Sequence, residues 1–351
     1  MMCERQRRLV LQFHITGRCN LQCKHCYRQE GNAEKLSYED VINVIDQFRS
    51  LRAKYNAIQG IKKRGHINLT GGEPFIREDI AKIIAYIDSC GSELTYGILS
   101  NGSFLDEQML GLLKKTNVSF VQLSIDGDRK VHDVLRAPGD YDRVFATARR
   151  LECAGIRTYI SFTANRENYK CIPKIATKCR RAGVTKLWSD RMVPIGRGEN
   201  LKDLCITESE IPAYIQTLKK AQGTWLTKKL YPKTQVALNR ALQFLNSDGA
   251  IYFCSAGESL ITVDEFGQVM PCRRMPIVCG DVFSQTLENI YYRNPVFCEL
   301  REKSVPEACK ACAFSYLCGG GAKCQSYAVY GTYRKADYAC PLRSHGYETG
   351  Q

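Results

Sequence analysis

The chain has 351 residues, 44% of them hydrophobic and 25% charged, the make-up of a globular protein with a sizeable core. No run of about 18 apolar residues occurs, which argues against a membrane-spanning helix, and the start, "MMCERQRRLVLQFHI", lacks the apolar block and cleavage site of a signal peptide. The net charge of +14 could draw nucleic acid, an acidic peptide or an anionic cofactor, but no block of like charge stands out. Most of it therefore reads as dispersed, solvated Lys and Arg, and nucleic acid is not an expected partner.

"RLVLQFHIT" alternates as a strand and runs straight into a cysteine loop. "SYEDVINVIDQFRSL" has helical spacing, with Ser37 as its N-cap. "HINLTGGEPF" reads as a strand ending in a glycine turn, and "REDIAKIIAYIDSCG" as an amphipathic helix stopped by Gly91. "LTYGILSNGS" is strand then turn, "DEQMLGLLKKT" helix, and "VSFVQLSIDG" strand again. "YDRVFATARRLECAG" is a helix stopped at Gly155, "IRTYISFTAN" a strand, "KCIPKIATKCRRAG" a helix and "VTKLWSDRMVPIG" a strand.

About six strand–helix units imply a mostly parallel sheet, open or closed into a barrel. Chemistry in such sheets sits at the carboxyl ends of the strands. The cysteine loop, GGEP, SNG and SIDG all follow strand ends. Near residue 200 the pattern changes, and "LKDLCITESEIPAYIQTLKKAQ" and "TQVALNRALQFLN" read as connecting helices. From Cys254 onward the chain is rich in cysteine and glycine. The expected division is 1–195, 196–250 and 251–351.

Eighteen cysteines without a signal peptide suggest a cytoplasmic metalloprotein, because cytosolic thiols stay reduced. Three of them lie in Cys19-x3-Cys23-x2-Cys26. A structural zinc takes four ligands and a disulfide two, so three suggest a metal centre with a vacant position; a zinc knuckle or redox thiol pair is the alternative. In GGEP, Gly71 and Gly72 allow close backbone approach, and the Glu73 carboxylate can accept from an ammonium group. Ser100, Asn101, Ser124 and Asp126 offer hydroxyl, amide and carboxylate groups at the next strand ends, where such residues also cap turns.

With this context the opening motif resembles the radical S-adenosylmethionine (SAM) superfamily signature CxxxCxΦC, with His25 at the usually aromatic Φ position and Tyr27 after it. The resemblance implies a partial (β/α)6 barrel. It implies that Cys19, Cys23 and Cys26 hold a 4Fe–4S cluster whose fourth iron is chelated by SAM. One electron then cleaves SAM to methionine and a 5′-deoxyadenosyl radical, which abstracts a substrate hydrogen. By the same resemblance Gly71 to Pro74 bind the methionyl amino group, and Ser100, Asn101, Ser124 and Asp126 the ribose and carboxylate. Arg136 and Arg191 are candidates for the SAM carboxylate or the substrate.

The C-terminal thiols run Cys254-x12-Gly267-x4-Cys272, then Cys309-x2-Cys312-x5-Cys318-x5-Cys324, then Cys340. No helix or strand core has such a pattern. It resembles the SPASM domain, a small loop-rich extension of many radical SAM enzymes, except that five residues rather than three separate Cys318 from Cys324. The resemblance implies two auxiliary 4Fe–4S clusters, the nearer on Cys254, Cys272 and Cys324, the outer on Cys309, Cys312, Cys318 and Cys340. Cys279 is the local candidate for the fourth ligand of the nearer one. Arg273, Arg274, Lys310, Lys323 and Arg334 would balance cluster charge, unless they serve only solubility. The other cysteines (Cys3, Cys90, Cys153, Cys171, Cys179, Cys205 and Cys298) read as small apolar residues, with Cys205 the one candidate hydrogen donor.

"RMVPIGRGEN" and "MPCRRMPIVCGDVF" look like segments of SPASM maturases of ribosomally made peptides. The expected activity is formation of a thioether or other crosslink on a peptide with a leader segment. The expected partners are a reductant such as flavodoxin or ferredoxin and, since no N-terminal peptide-binding domain is read here, a separate leader-binding protein. The alternatives are a peptide epimerase, a sulfatase-maturating (formylglycine-forming) enzyme, an enzyme of quinone or tetrapyrrole cofactor biosynthesis, and an iron–sulfur electron carrier.

Overall fold

The computed structural model describes residues 7–28, 36–245 and 252–342; Cys3 lies outside them. Ten strands form one sheet: β1 Val10–Thr16, β2 Gly65–Gly71, β3 Leu94–Leu99, β4 Val118–Ser124, β5 Thr158–Ala164, β6 Lys186–Arg191, β7 Gln235–Ala237, β8 Leu260–Val263, β9 Gln268–Met270 and β10 Gly280–Asp281. Their spatial order is β10-β9-β8-β1-β2-β3-β4-β5-β6-β7. All neighbours from β8 to β7 are parallel, while β9 and β10 add antiparallel at one edge. β1 to β6 lie side by side in chain order with helical crossovers, the partial barrel expected of the sequence.

Alternation along the strands makes the two faces different. On β1, Leu11, Phe13 and Ile15 are fully buried against the helical layer, where Val41, Ile45 and Phe48 pack. Each such side chain contributes about 1.5–3 kcal/mol. Gln12, His14 and Thr16 take the other face, in register with Asn68, Thr70 and Gly71 of β2. That lumen is plugged near the amino ends of the strands. Phe120 stacks on Tyr159 at 4.4 Å and on His66 at 5.6 Å, and Gly97 leaves room for the Phe120 ring. The carboxyl ends remain for chemistry.

Local signals explain most boundaries. Ser37 caps Tyr38–Gln59, accepting from the Asp40 amide at 3.1 Å in a capping box. Asp106 caps Glu107–Lys115, accepting from the Met109 amide at 2.8 Å. Gly155 stops Asp140–Cys153 in the left-handed region, but Gly91 does not stop Ile80–Ser89, which ends at Cys90 with ordinary negative φ. Two further expectations about elements fail. The connecting helix begins only at Ile211, because Thr207 and Glu210 form a capping box there. "TQVAL" forms β7, since its Gln235 amide can complete the ladder on the Thr185 carbonyl at 2.9 Å; the alternating β-branched pattern wins over the helical one. The structure adds a short helix at Arg129–Leu135, capped by Asp128.

Candidate active site

One cavity of about 330 Å³ opens at the carboxyl ends of β1 to β6. Cys19, Cys23 and Cys26 line it, half-buried, with His25 and Tyr27. Gly71, Gly72, Ser100, Asn101, Ser124, Arg136 and Arg191 line it too, so four separate strand ends converge on the cysteine loop. Glu73, Pro74 and Asp126 do not reach its wall; Glu73 and Asp126 lie fully buried behind it.

The two glycines are needed for packing against the cysteine loop itself. A Cβ on Gly71 would stand 2.1 Å from the Thr16 carbonyl oxygen, and one on Gly72 would stand 2.0 Å from that of Arg18. This contact lets the Gly72 and Glu73 amides donate to Thr16 and Arg18 at 2.9 and 2.8 Å, fixing the entry to the loop. The Glu73 carboxylate then organises the next turn. It accepts from the Ser100 hydroxyl at 2.8 Å and from the Asn101 and Phe75 amides at 2.7 and 3.2 Å. Burial pushes its carboxyl up to about 7 despite those donors. Asn101 in turn donates to Asn20 at 2.8 Å, inside the cysteine loop, and lies 4.0 Å from the Cys19 sulfur.

Asp126 plays the corresponding part on the other side. Its carboxylate accepts from Arg136 at 2.6 Å and from the Thr163 amide at 2.7 Å, and meets His25 Nε2 at 3.1 Å. Burial alone would raise this carboxyl, but the Arg136 guanidinium and His25 outweigh it and hold it far below the carboxylate range. The Arg129–Leu135 helix supplies the support: His132 Nδ1 accepts from the Asp126 amide at 3.0 Å, and its Nε2 meets Asp140 at 3.0 Å. Arg136, just past that helix, also points at the Cys23 sulfur at 3.8 Å. Burial pushes the Cys19 thiol up and the Cys23 thiol to about 11, with Arg136 opposing the latter. His25 Nδ1 is buried without a partner.

Two expected site residues are otherwise engaged. Arg191 gives both terminal nitrogens to Asp337, at 2.9 and 2.5 Å, deep in the protein. Cys205 is buried away from the cavity wall, with its thiol 4.0 Å from the Met192 carbonyl.

The C-terminal thiols fall into two sets. Cys254, Cys272 and Cys324 border one small core of Ala256, Met275, Leu300 and Tyr333. Burial, then the charge of its neighbours Cys272 and Cys254, pushes the Cys324 thiol well up. Cys309, Cys312, Cys318 and Cys340 form the second set, where burial and the neighbouring thiols push Cys309 to about 12 and Cys340 to about 11. Cys279 is buried at the edge of the main hydrophobic core, donating to the Ile277 carbonyl at 3.4 Å, and burial pushes its thiol up to about 11. Among the described residues no three His, Cys, Asp or Glu side chains are drawn tightly enough to hold a single metal ion. A cubane asks for a wider set, since each thiolate takes a different iron. Half-buried thiols with Arg136 and Asn101 beside them, on a wall with no acidic side chain, fit such a group. Lys310 and Arg334, by contrast, are exposed and paired with Glu307 and Glu299.

The model of the radical SAM superfamily matches residues 13–179, and that of SPASM, an iron–sulfur cluster-binding domain, matches residues 254–313. The chain is a radical SAM enzyme with a SPASM domain. This sets aside the electron carrier. The Fe-coproporphyrin III synthase of Methanosarcina barkeri is 26% identical over 95% of this chain and 88% of its own length. The mycofactocin maturase MftC of Mycobacterium tuberculosis is 26% identical over 89% of this chain and 78% of its own. Among solved structures, Streptococcus suis SuiB bound to S-adenosylmethionine shares the fold with a TM-score of 0.73 at 15% identity, over 95% of this chain and 77% of that one. SuiB has also been solved with its precursor peptide SuiA. No helix among the described residues is long and apolar enough to cross a membrane.

Proposed function

We propose that this enzyme holds a 4Fe–4S cluster on Cys19, Cys23 and Cys26 and uses it with SAM to modify a ribosomally made peptide, forming a thioether or other crosslink. The observation behind the site assignment is the convergence of the three-cysteine loop, Gly71–Gly72, Ser100–Asn101 and Ser124 on one cavity. When bound, cluster and SAM supply one-electron chemistry that removes a hydrogen atom from the substrate. The chain's own residues do the positioning. Glu73 holds the Ser100–Asn101 turn, Asp126 holds Arg136 and His25, and Arg136 offsets thiolate charge at Cys23. Two further clusters would sit on Cys254, Cys272 and Cys324, and on Cys309, Cys312, Cys318 and Cys340. The nearer set has three thiols, and the Cys279 thiol, turned to the Ile277 carbonyl, stays outside it in this reading.

A maturase among the relatives, and a peptide bound to a protein of the same fold, support the peptide reading. The proposed setting is the cytoplasm, with a flavodoxin- or ferredoxin-type reductant and a separate leader-binding protein. A second reading, cofactor biosynthesis on a tetrapyrrole, has equal support from the coproporphyrin synthase, which aligns over 95% of the chain. Anaerobically reconstituted enzyme with SAM and dithionite should release 5′-deoxyadenosine; none would sink the cluster assignment. Faster release with an iron tetrapyrrole precursor of iron coproporphyrin III than with a cysteine-containing peptide encoded beside the gene would favour the second reading over the first.

A further inference from the structure

The cavity wall carries six arginines and neither aspartate nor glutamate. Four of them turn onto a carboxylate behind the wall: Arg28 on Glu265, Arg136 on Asp126, Arg191 on Asp337 and Arg274 on Asp190. Arg197 and Arg273 have no carboxylate partner among the described residues. Arg273 lies over the Tyr27 ring, its Cζ 5.1 Å from the centroid, with Arg274 and Arg240 as charged neighbours. Arg240 is committed to the face of Trp188, at 4.1 Å. Arg197 reaches the same place from the loop after β6. Its amide donates to the Arg28 carbonyl at 3.3 Å, and its Nε is buried without a partner. That approach depends on Gly196, at φ +59°, where a Cβ would come within 2.4 Å of the Tyr27 backbone. Two arginines without a carboxylate partner thus meet the two residues that follow the third cysteine, Arg273 through its guanidinium on the Tyr27 ring and Arg197 through its backbone amide on Arg28.

Holding a cation partly out of water costs free energy unless an anion meets it. The four paired arginines show how this chain meets that cost wherever the partner is its own. The remaining two face the cavity, and apart from the Cys272 sulfur beside Arg273 no anionic group of the described residues is paired with them, so a carboxylate for them comes from what enters the cavity. A guanidinium fork matches a planar carboxylate with two parallel hydrogen bonds, a stronger and more selective contact than a point charge gives. We propose that Arg197 and Arg273 form a subsite for a carboxylate of the substrate, held beside the three-cysteine loop. A tetrapyrrole propionate and a peptide carboxylate share this chemistry. The inference rests on the cavity being where SAM and substrate meet.

The test uses reconstituted holoenzyme with SAM and two probe pairs. One is iron coproporphyrin III against its tetramethyl ester; the other is N-acetyl-trialanine as free acid against its C-terminal amide. In at least one pair the acid should bind about tenfold tighter than the neutral form, which corresponds to about 1.4 kcal/mol. That ratio should collapse towards one in Arg197→Gln and in Arg273→Gln and recover in part in Arg273→Lys, while iron content and the visible spectrum of the loaded protein hold. The pair that responds names the source of the carboxylate. Equal binding of acid and neutral forms in both pairs overturns the subsite. So does an Arg197→Gln variant that keeps the acid preference, or one that loses iron instead; that variant lies outside the cysteine segments, so it separates the subsite from damage beside Cys272. Enzyme that releases no 5′-deoxyadenosine fails the functional reading itself. Enzyme that releases it yet shows no acid preference fails only the subsite.

Discussion

Glu73 gives a test of the site's construction that needs no substrate. The carboxylate is fully buried and serves three donors with two oxygens: the Phe75 amide and the Ser100 hydroxyl on one, the Asn101 amide on the other. Its carboxyl stands at about 7 against an ordinary 4.5, with burial the largest cause. A raised acid makes the folded chain hold its proton more tightly than the unfolded chain does. The stability this contributes is full below about pH 4.5 and is lost as pH rises through about 7; over that window it amounts to about 3 kcal/mol. In Glu73→Gln that dependence is gone, but one acceptor oxygen becomes an amide donor facing a buried N–H, a cost of about 1–3 kcal/mol. The variant should therefore be destabilised at pH 5 and close to wild type at pH 8. Urea unfolding of both proteins at pH 5, 6, 7 and 8 measures the difference directly. A wild-type-minus-variant gap that stays constant with pH would falsify the assignment of a strained, buried carboxylate. At every pH the variant should also raise the KM for SAM, because the Ser100–Asn101 turn loses its anchor.

Loaded wild type should carry about twelve irons per chain if all three sets bind 4Fe–4S clusters; the Cys19→Ala, Cys23→Ala, Cys26→Ala triple variant should keep about eight and release no 5′-deoxyadenosine, and continued release would refute the role of the loop. Cys279→Ser should leave iron content at the wild-type value while lowering the melting temperature, since it places a hydroxyl in the main core; iron loss would return Cys279 to the ligand set. Asp337→Asn leaves the buried Arg191 guanidinium without its counter-charge and weakens the contacts from the Ala322 and Ala339 amides, at 3.1 and 3.2 Å. A loss of about 3–5 kcal/mol is expected, with labilised iron at Cys318 and Cys340, and an unchanged melt would show that the pair is incidental.

The sheet was legible because β1 to β6 alternate cleanly between caps and glycine stops, and each strand end announces itself with a polar turn. The thiol sets were legible from spacing, and even the two extra residues before Cys324 leave it beside Cys254 and Cys272. What could not be read is which polar groups face the ligand and which hold those that do. GGEP advertises Glu73, yet only the glycines reach the cavity, because the glutamate is turned inward to three donors. Arg191 sits at a strand end as a ligand should, but its partner Asp337 lies far along the chain. Cys279 follows Cys272 closely, but its burial just before β10 could not be read from that spacing. Asp128 was a usable signal for the helix that places His132 and Arg136, since Asp before a short apolar repeat is an N-cap pattern. The segments that carry Arg197 and Arg273 stand out in the sequence, but that these two arginines lack carboxylate partners is visible only in the fold.

The same geometry ties the cysteine-rich segment to the SAM end of the molecule. β8 pairs with β1 in parallel, so the strand that delivers the cysteine loop is clamped between β2 and a strand of the C-terminal region. Just past β8, Glu265 pairs with Arg28, two residues after Cys26, and approaches His14 in the lumen at 3.8 Å. At the end of β6, Asp190 holds Arg274, two residues after Cys272, at 2.6 Å, and the Gln325 side-chain amide donates to the Arg191 and Met192 carbonyls at 3.3 and 3.2 Å, next to Cys324. Every one of these links uses a buried or half-buried charged or polar pair, which is costly to break one side at a time. A displacement of the thiol set around Cys272 must therefore move Arg273 on Tyr27, and with it the wall beside Cys26. This mechanical continuity gives a physical reason for the cysteine-rich region to shape what the cavity accepts, independently of any electrons it carries.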